Sequence, residues 1–176
     1  MATVHPDDQT GLPLELVFRG VVTRGCGRYG AELQIPGHAL VPDAPRDWPT
    51  ELHPGSFNVR VSAPCPQPLT CVTDLDKRGF PPEFELRVKE KRPQPIPDLA
   101  QAWRATLLHD GRQTAVPCWA LRRYKSDLSD VLELVQGFCI RDRGFDDGDA
   151  VTVTLYRGRV ASPRGSATSE AGESTC

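Results

Sequence analysis

The sequence predicts a mainly β protein closed into a small barrel with little helix. Three observations carry that reading. Apolar and polar residues alternate in short runs at 57–61, 84–88, 101–108 and 150–155, and a period of two turns one face to a core and the other outward. Glycine and proline turn signals separate the runs. With 15 Gly and 17 Pro in 176 residues, long uninterrupted helices are disfavoured. The chain is 39% hydrophobic, which suffices for the core of one domain.

Taken in order, residues 1–13 are polar and acidic and read as a loose leader, without the basic and apolar regions of a signal peptide. Residues 14–22 form the first strand. A loop with Gly25, Gly27 and Gly30 follows, then a short second strand at 31–35 and a proline-rich loop at 36–52. In that loop Asp47-Trp48-Pro49 either closes over a ligand or pins the loop. His53-Pro54-Gly55 is a turn, and it opens a strand over 55–61. A proline-rich connection (62–73) and a turn (74–80) lead to the strand at 84–88. Residues 89–97 are a charged, exposed excursion. The strand at 101–108 runs into His109-Asp110-Gly111, where Asp-Gly is a preferred hairpin pair, and 114–121 returns beside it with Cys118 and Trp119. The basic cluster at 122–127 reads as a solvated loop. A strand at 130–135, a short helical turn at 138–145, an aspartate-rich turn at 146–149 and a last strand at 150–155 complete the domain, 14–158. The turn lacks the spacing and closing glutamate of a calcium loop. Residues 159–176 are rich in Ser, Gly and Ala and read as a disordered tail.

Net charge is −2, so no global basic field draws nucleic acid. No apolar run approaches the roughly 18–20 residues of a membrane span. Cys26, Cys65, Cys71, Cys118, Cys139 and Cys176 form no C-x-x-C pair, and they read as free, mostly buried thiols of a cytoplasmic protein.

Three features carry chemistry. Ser56 and Asn58 stand two apart on a strand, so a hydroxyl and an amide oxygen share a face. Such hard donors suit Mg²⁺, which keeps several waters or phosphate oxygens as well; a polar strand face capping a turn has the same spacing. The loop with Gly25 and Gly27 is either an anion-binding nest, helped by Arg24 and Arg28, or a glycine-rich hairpin turn. It is neither a P-loop nor a dinucleotide fingerprint. Glu133 lies among apolar neighbours, where a carboxylate has a raised pKa unless paired. It is a structural partner for an arginine or a general base.

Four pieces of the chain, in this order, resemble the archaeal-type CTP-dependent riboflavin kinases over residues 16–155. They are Gly20-Val21-Val22-Thr23-Arg24-Gly25-Cys26-Gly27; Pro54-Gly55-Ser56-Phe57-Asn58-Val59, similar to the family's G-T-L-N-V; Leu132-Glu133-Leu134-Val135; and Ile140-Arg141 with Asp147-Gly148-Asp149-Ala150-Val151. The resemblance implies a six-stranded cradle-loop barrel that moves the γ-phosphoryl of CTP to the 5′-hydroxyl of riboflavin, giving FMN and CDP. It implies Mg²⁺ on Ser56 and Asn58, and nucleotide contacts at Gly25, Cys26, Gly27, Arg28 and Gly55. Arg122, Arg123, Lys125 and Ser126 would meet the acceptor or phosphates, and Glu133 would accept the hydroxyl proton. The chain departs from the family at Arg28, where an acidic residue is expected, and at 122–126, which replaces a P-E-x-T-x-[HY] segment. Two other readings use the same barrel. One is a nucleotide- or flavin-binding sensor without turnover. The other is an interaction module akin to DNA-binding swapped-hairpin proteins, against which the net charge speaks.

Overall fold

In the computed structural model, residues 3–6, 13–25, 33–34, 41, 44–61, 80–90, 98–113, 115–123 and 130–158 are described. The expected features at 26–32, 62–79 and 91–97, and the tail from 159, lie outside these residues. The described residues form nine strands: β1 Thr3–Pro6, β2 Pro13–Thr23, β3 Leu33–Gln34, β4 Phe57–Val61, β5 Phe84–Glu90, β6 Asp98–His109, β7 Ala115–Arg123, β8 Val131–Val135 and β9 Ala150–Tyr156. A 3-10 turn covers Ile140–Arg143, and Gly144 ends it at φ 85°, a conformation that favours glycine.

Six strands close on themselves in the order β2-β4-β8-β7-β6-β9 and back to β2, every neighbouring pair antiparallel. Closure works because β2 and β6 are long enough to serve two neighbours along one edge. β2 pairs with β9 from Glu15 to Val21, and its other edge takes β1 up to Val17 and then β4 from Gly20 to Thr23. β6 pairs with β7 along one edge; its other edge takes β5 from Asp98 to Ala102 and β9 from Ala105 to His109. Where β2 changes partner, a Cβ on Gly20 would lie 2.4 Å from the Arg60 carbonyl oxygen, so only glycine fits.

Alternation along each strand fills the barrel. Phe18 and Val22, Phe57 and Val59, Leu132 and Leu134, Cys118 and Ala120, Trp103 and Leu107, and Val151, Val153 and Leu155 meet inside. Part of the outer face of β5, β6 and β7 is buried as well. Phe84, Leu86, Ala100, Ala102, Trp119 and Leu121 pack against Val41, Ala44, Trp48 and Leu52. Trp48 is 2% exposed and sits edge-on to Phe84 and Trp119, at centroid distances of 4.9 and 5.1 Å. Of the two roles open to Asp47-Trp48-Pro49, this geometry selects pinning. Arg104 completes the clasp: it donates to both Asp47 oxygens at 2.9 and 2.7 Å, pairs with Glu83, and lies 5.1 Å from the Trp119 ring centroid.

Two expectations need correcting. Part of the expected leader is a strand, since Thr3–Pro6 pairs with β2. The basic cluster does not begin as a solvated loop. Arg122 and Arg123 are the last residues of β7, 2% and 4% exposed, because β7 keeps its pairing to β6 as far as Ala100. Truncating Trp48 to alanine empties the centre of the outer core and should lower stability by about 3–5 kcal/mol in urea denaturation. Arg104 holds the Asp47 carboxyl below its usual range, chiefly by hydrogen bonding. The pair therefore stabilises the fold at neutral pH, and that contribution is lost as pH falls through the depressed value. Stability curves of wild type and Asp47→Asn should accordingly begin to approach one another below about pH 4 and converge only below the depressed value.

Candidate functional site

Partners across an antiparallel sheet share a face. Thr23, Asn58, Glu133 and Leu121 are successive partners across β2, β4, β8 and β7. Their neighbours Val22, Phe57, Val59, Leu132 and Ala120 point into the barrel, so this row lies on the outer wall. It continues through Ala102 to Phe84, under the Trp48 segment. The row is thus polar at one end and apolar where that segment covers it.

The turn before β4 brings in the third oxygen. Gly55, at φ 89°, delivers Ser56 onto the Asn58 face. The Ser56 hydroxyl donates to Asn58 Oδ1 at 3.1 Å and lies 3.5 Å from Glu133 Oε1. Asn58 and Glu133 are each 6% exposed. Adjacent ligands of an octahedral Mg²⁺ with bonds near 2.1 Å stand about 3 Å apart. The Ser56 and Asn58 oxygens meet that spacing, and the Glu133 oxygen lies slightly outside it. Hydroxyl, amide and carboxylate oxygens are the donors this ion prefers, so the residues fit it. Among the described residues no three His, Cys, Asp or Glu side chains gather as a metal site. A cation here would be held by the Ser56 and Asn58 oxygens, with the Glu133 carboxylate beside them.

Beside Ser56 lies a cleft of ≈ 170 Å³. His53, Pro54, Gly55, Ser56 and Phe57 line one wall; Gln136, Phe138, Cys139, Ile140 and Arg141 line the other. The His53 N–H donates to the Gln136 carbonyl at 2.8 Å and ties the walls together. The Arg141 guanidinium lies 5.6 Å from the centroid of the Phe57 ring.

The sequence-derived site residues therefore divide. Ser56, Asn58 and Glu133 come together, and Gly55 is in the adjoining cleft. Gly25 is exposed and lies two residues past Thr23, the cross-strand partner of Asn58. Cys26, Gly27, Arg28, Lys125 and Ser126 lie outside the described residues. Arg122 shares the inward parity of Cys118 and Ala120, whereas Arg123 shares the outward parity of Trp119 and Leu121. The two arginines point to opposite faces, and Arg122 points away from the Ser56–Asn58–Glu133 face. Sequence reasoning gave no role to Arg141 or Asp147, although both stand in quoted motif pieces. Asp147 accepts from Arg24 Nε at 3.0 Å and Arg141 Nη2 at 2.6 Å, and the Arg141 hydrogen bond chiefly holds its carboxyl below the usual range.

The strands define a small six-stranded antiparallel β-barrel with a polar oxygen cluster on its outer wall. The chain matches no known family model and no curated protein.

Both described cysteines are free thiols. Burial pushes the Cys118 thiol up to about 12, while Cys139 is half-buried in the cleft wall. Alkylation at pH 8 followed by peptide mass spectrometry should label Cys139 and leave Cys118 intact until the barrel is unfolded.

Proposed function

We propose that the protein is a CTP-dependent riboflavin-kinase-like phosphotransferase. The observation that supports this reading best is the meeting of Ser56, Asn58 and Glu133 on one outer row, beside a cleft and beside the strand end that opens the glycine-rich segment. The same residues stand in the motif pieces that resemble the kinase family.

Phosphoryl transfer needs little covalent work from the protein; it needs positioning and charge neutralisation. Ser56 and Asn58 would hold Mg²⁺. When bound, the ion neutralises charge on the β- and γ-phosphates. Gly55 and the cleft walls would seat the nucleotide, and the backbone around Gly25 would approach its phosphates. Glu133, set on a rigid strand 3.5 Å from the Ser56 hydroxyl, would take the proton of the riboflavin 5′-hydroxyl. The acceptor oxygen then bonds to the γ-phosphorus as the bond to the β–γ bridging oxygen breaks, leaving FMN and CDP.

Incubation with CTP, Mg²⁺ and riboflavin should yield FMN, and the Ser56→Ala/Asn58→Ala variant should lose about 10²–10³-fold in kcat/KM. Absence of FMN, or undiminished turnover in the double variant, would overturn the proposal. Tight nucleotide or flavin binding without turnover would leave the sensor reading in its place.

A further inference from the structure

Asp147 stands on a turn that is fastened to β2. The Gly148 N–H donates to the Val22 carbonyl at 2.9 Å, and the Val22 N–H donates to the Asp149 carbonyl at 2.9 Å. Within the turn, the Asp146 N–H donates to Asp149 Oδ2 at 2.8 Å, and Gly148 has φ 96°, where a side chain would strain the backbone. From this platform the two carboxylate oxygens of Asp147 reach different arginines. Oδ2 accepts from Arg24, the first residue after β2 and the root of the glycine-rich segment. Oδ1 accepts from Arg141, in the cleft wall. Two guanidinium groups repel one another, and each has many rotamers to lose. One carboxylate offsets the repulsion and fixes both directions.

We propose that Asp147 is a positioning residue, holding Arg24 and Arg141 as a pair at the edge of the cleft so that their outward N–H groups receive the oxygens of a polyphosphate. The assignment of that polyphosphate to a nucleotide rests on the phosphotransferase reading; the anion class does not. A guanidinium carries five N–H donors in a planar fork, and one from each arginine is spent on Asp147. The Arg24 side chain is 90% exposed and that of Arg141 39%, so both present part of the guanidinium to solvent, and its fork geometry matches phosphate. Arg122 and Arg123 are buried and face opposite ways, so the pair at Asp147 is better placed to neutralise an incoming anion. The charge Asp147 adds against the anion is solvent-exposed and screened by salt. The order it imposes on the two arginines is the larger effect.

Titration calorimetry with inorganic tripolyphosphate at low salt tests this on the full chain. Asp147→Asn should weaken binding about tenfold, and Asp147→Glu should recover part of the loss. Arg24→Ala should weaken binding in the wild type and add little in the Asp147→Asn background, where Arg24 is no longer held. With CTP, Asp147→Asn should raise KM and leave kcat in place, a split that general loosening of the fold does not produce. Thermal unfolding of each variant checks that the barrel is intact, and Arg24→Ala removes the same contact from the other side. Unchanged or tighter tripolyphosphate binding by Asp147→Asn would overturn the proposal, tighter binding marking the carboxylate as a competitor of the anion. If FMN never forms but Asp147→Asn still loses tripolyphosphate, the kinase reading fails and this one stands. If FMN forms and Asp147→Asn binds like wild type, the reverse holds.

Discussion

β9 hydrogen-bonds to β2 along one edge and to β6 along the other, and this double pairing is the constraint on which the rest of the molecule depends. Without it, β2 and β6 would each present a row of unpaired backbone groups. With it, each of the six strands has a partner on both sides, and the alternating side chains of all six converge on one interior. Closure also fixes what lies outside. The half of β2 that β4 does not share is taken by β1, and the half of β6 that β9 does not share is taken by β5. The sheet thus continues past the barrel, and β5 with its neighbours presents the apolar outer face that Trp48 covers. The site inherits its order from the same arrangement. Thr23, Asn58 and Glu133 are neighbours only because β2, β4 and β8 are consecutive staves, packed from within by Val22, Val59 and Leu132.

A site on strands backed by a dense core is held more firmly than one on loops. Asn58 and Glu133 are buried although both face outward from the barrel. Their strand neighbours Val59, Leu132 and Leu134 are at most 1% exposed, which leaves these strands little freedom to shift. The cleft beside them is lined by a turn, the end of β8 and a 3-10 segment. Oxygen donors carried on core-backed strands thus border a cleft whose walls come largely from a turn and a 3-10 segment, an arrangement that would suit the proposed ion and nucleotide.

Strand positions were legible in the sequence wherever one face alone is buried. The runs at 84–88 and 150–155 alternate because one side meets a core. Phe84 and Leu86 are buried beside exposed Glu85 and Arg87, and Val151, Val153 and Leu155 are buried between half-buried threonines. Residues 57–61 also lie within a strand, although Asn58 on its outer face is buried as well. The rule weakens where both faces are covered. Residues 119–123 of β7 are buried throughout, so their alternation carries no inside–outside message, and Arg122 and Arg123 looked like the start of a solvated loop. The pairing of Ser56 with Asn58 followed from a spacing of two. The approach of Glu133 from 77 residues beyond Ser56 depends on sheet order, which local pattern does not encode. Trp48 was ambiguous for the same reason, since its partners Phe84 and Trp119 come from distant strands. Asp147 read as one carboxylate in a turn; only the fold brings Arg24, 123 residues away, to its oxygen.

The central proposal is that Ser56 and Asn58 would hold a divalent cation, with Glu133 beside them to take the acceptor's proton. Replacing Mg²⁺ with Mn²⁺ in the presence of CTP and mapping paramagnetic broadening in an NMR spectrum of the isotope-labelled protein tests it most directly. The account predicts that broadening is strongest at Ser56, Asn58 and Glu133 and falls off along β4 and β8. Broadening centred instead on the acidic turn at 146–149, or none at these three residues, would contradict it.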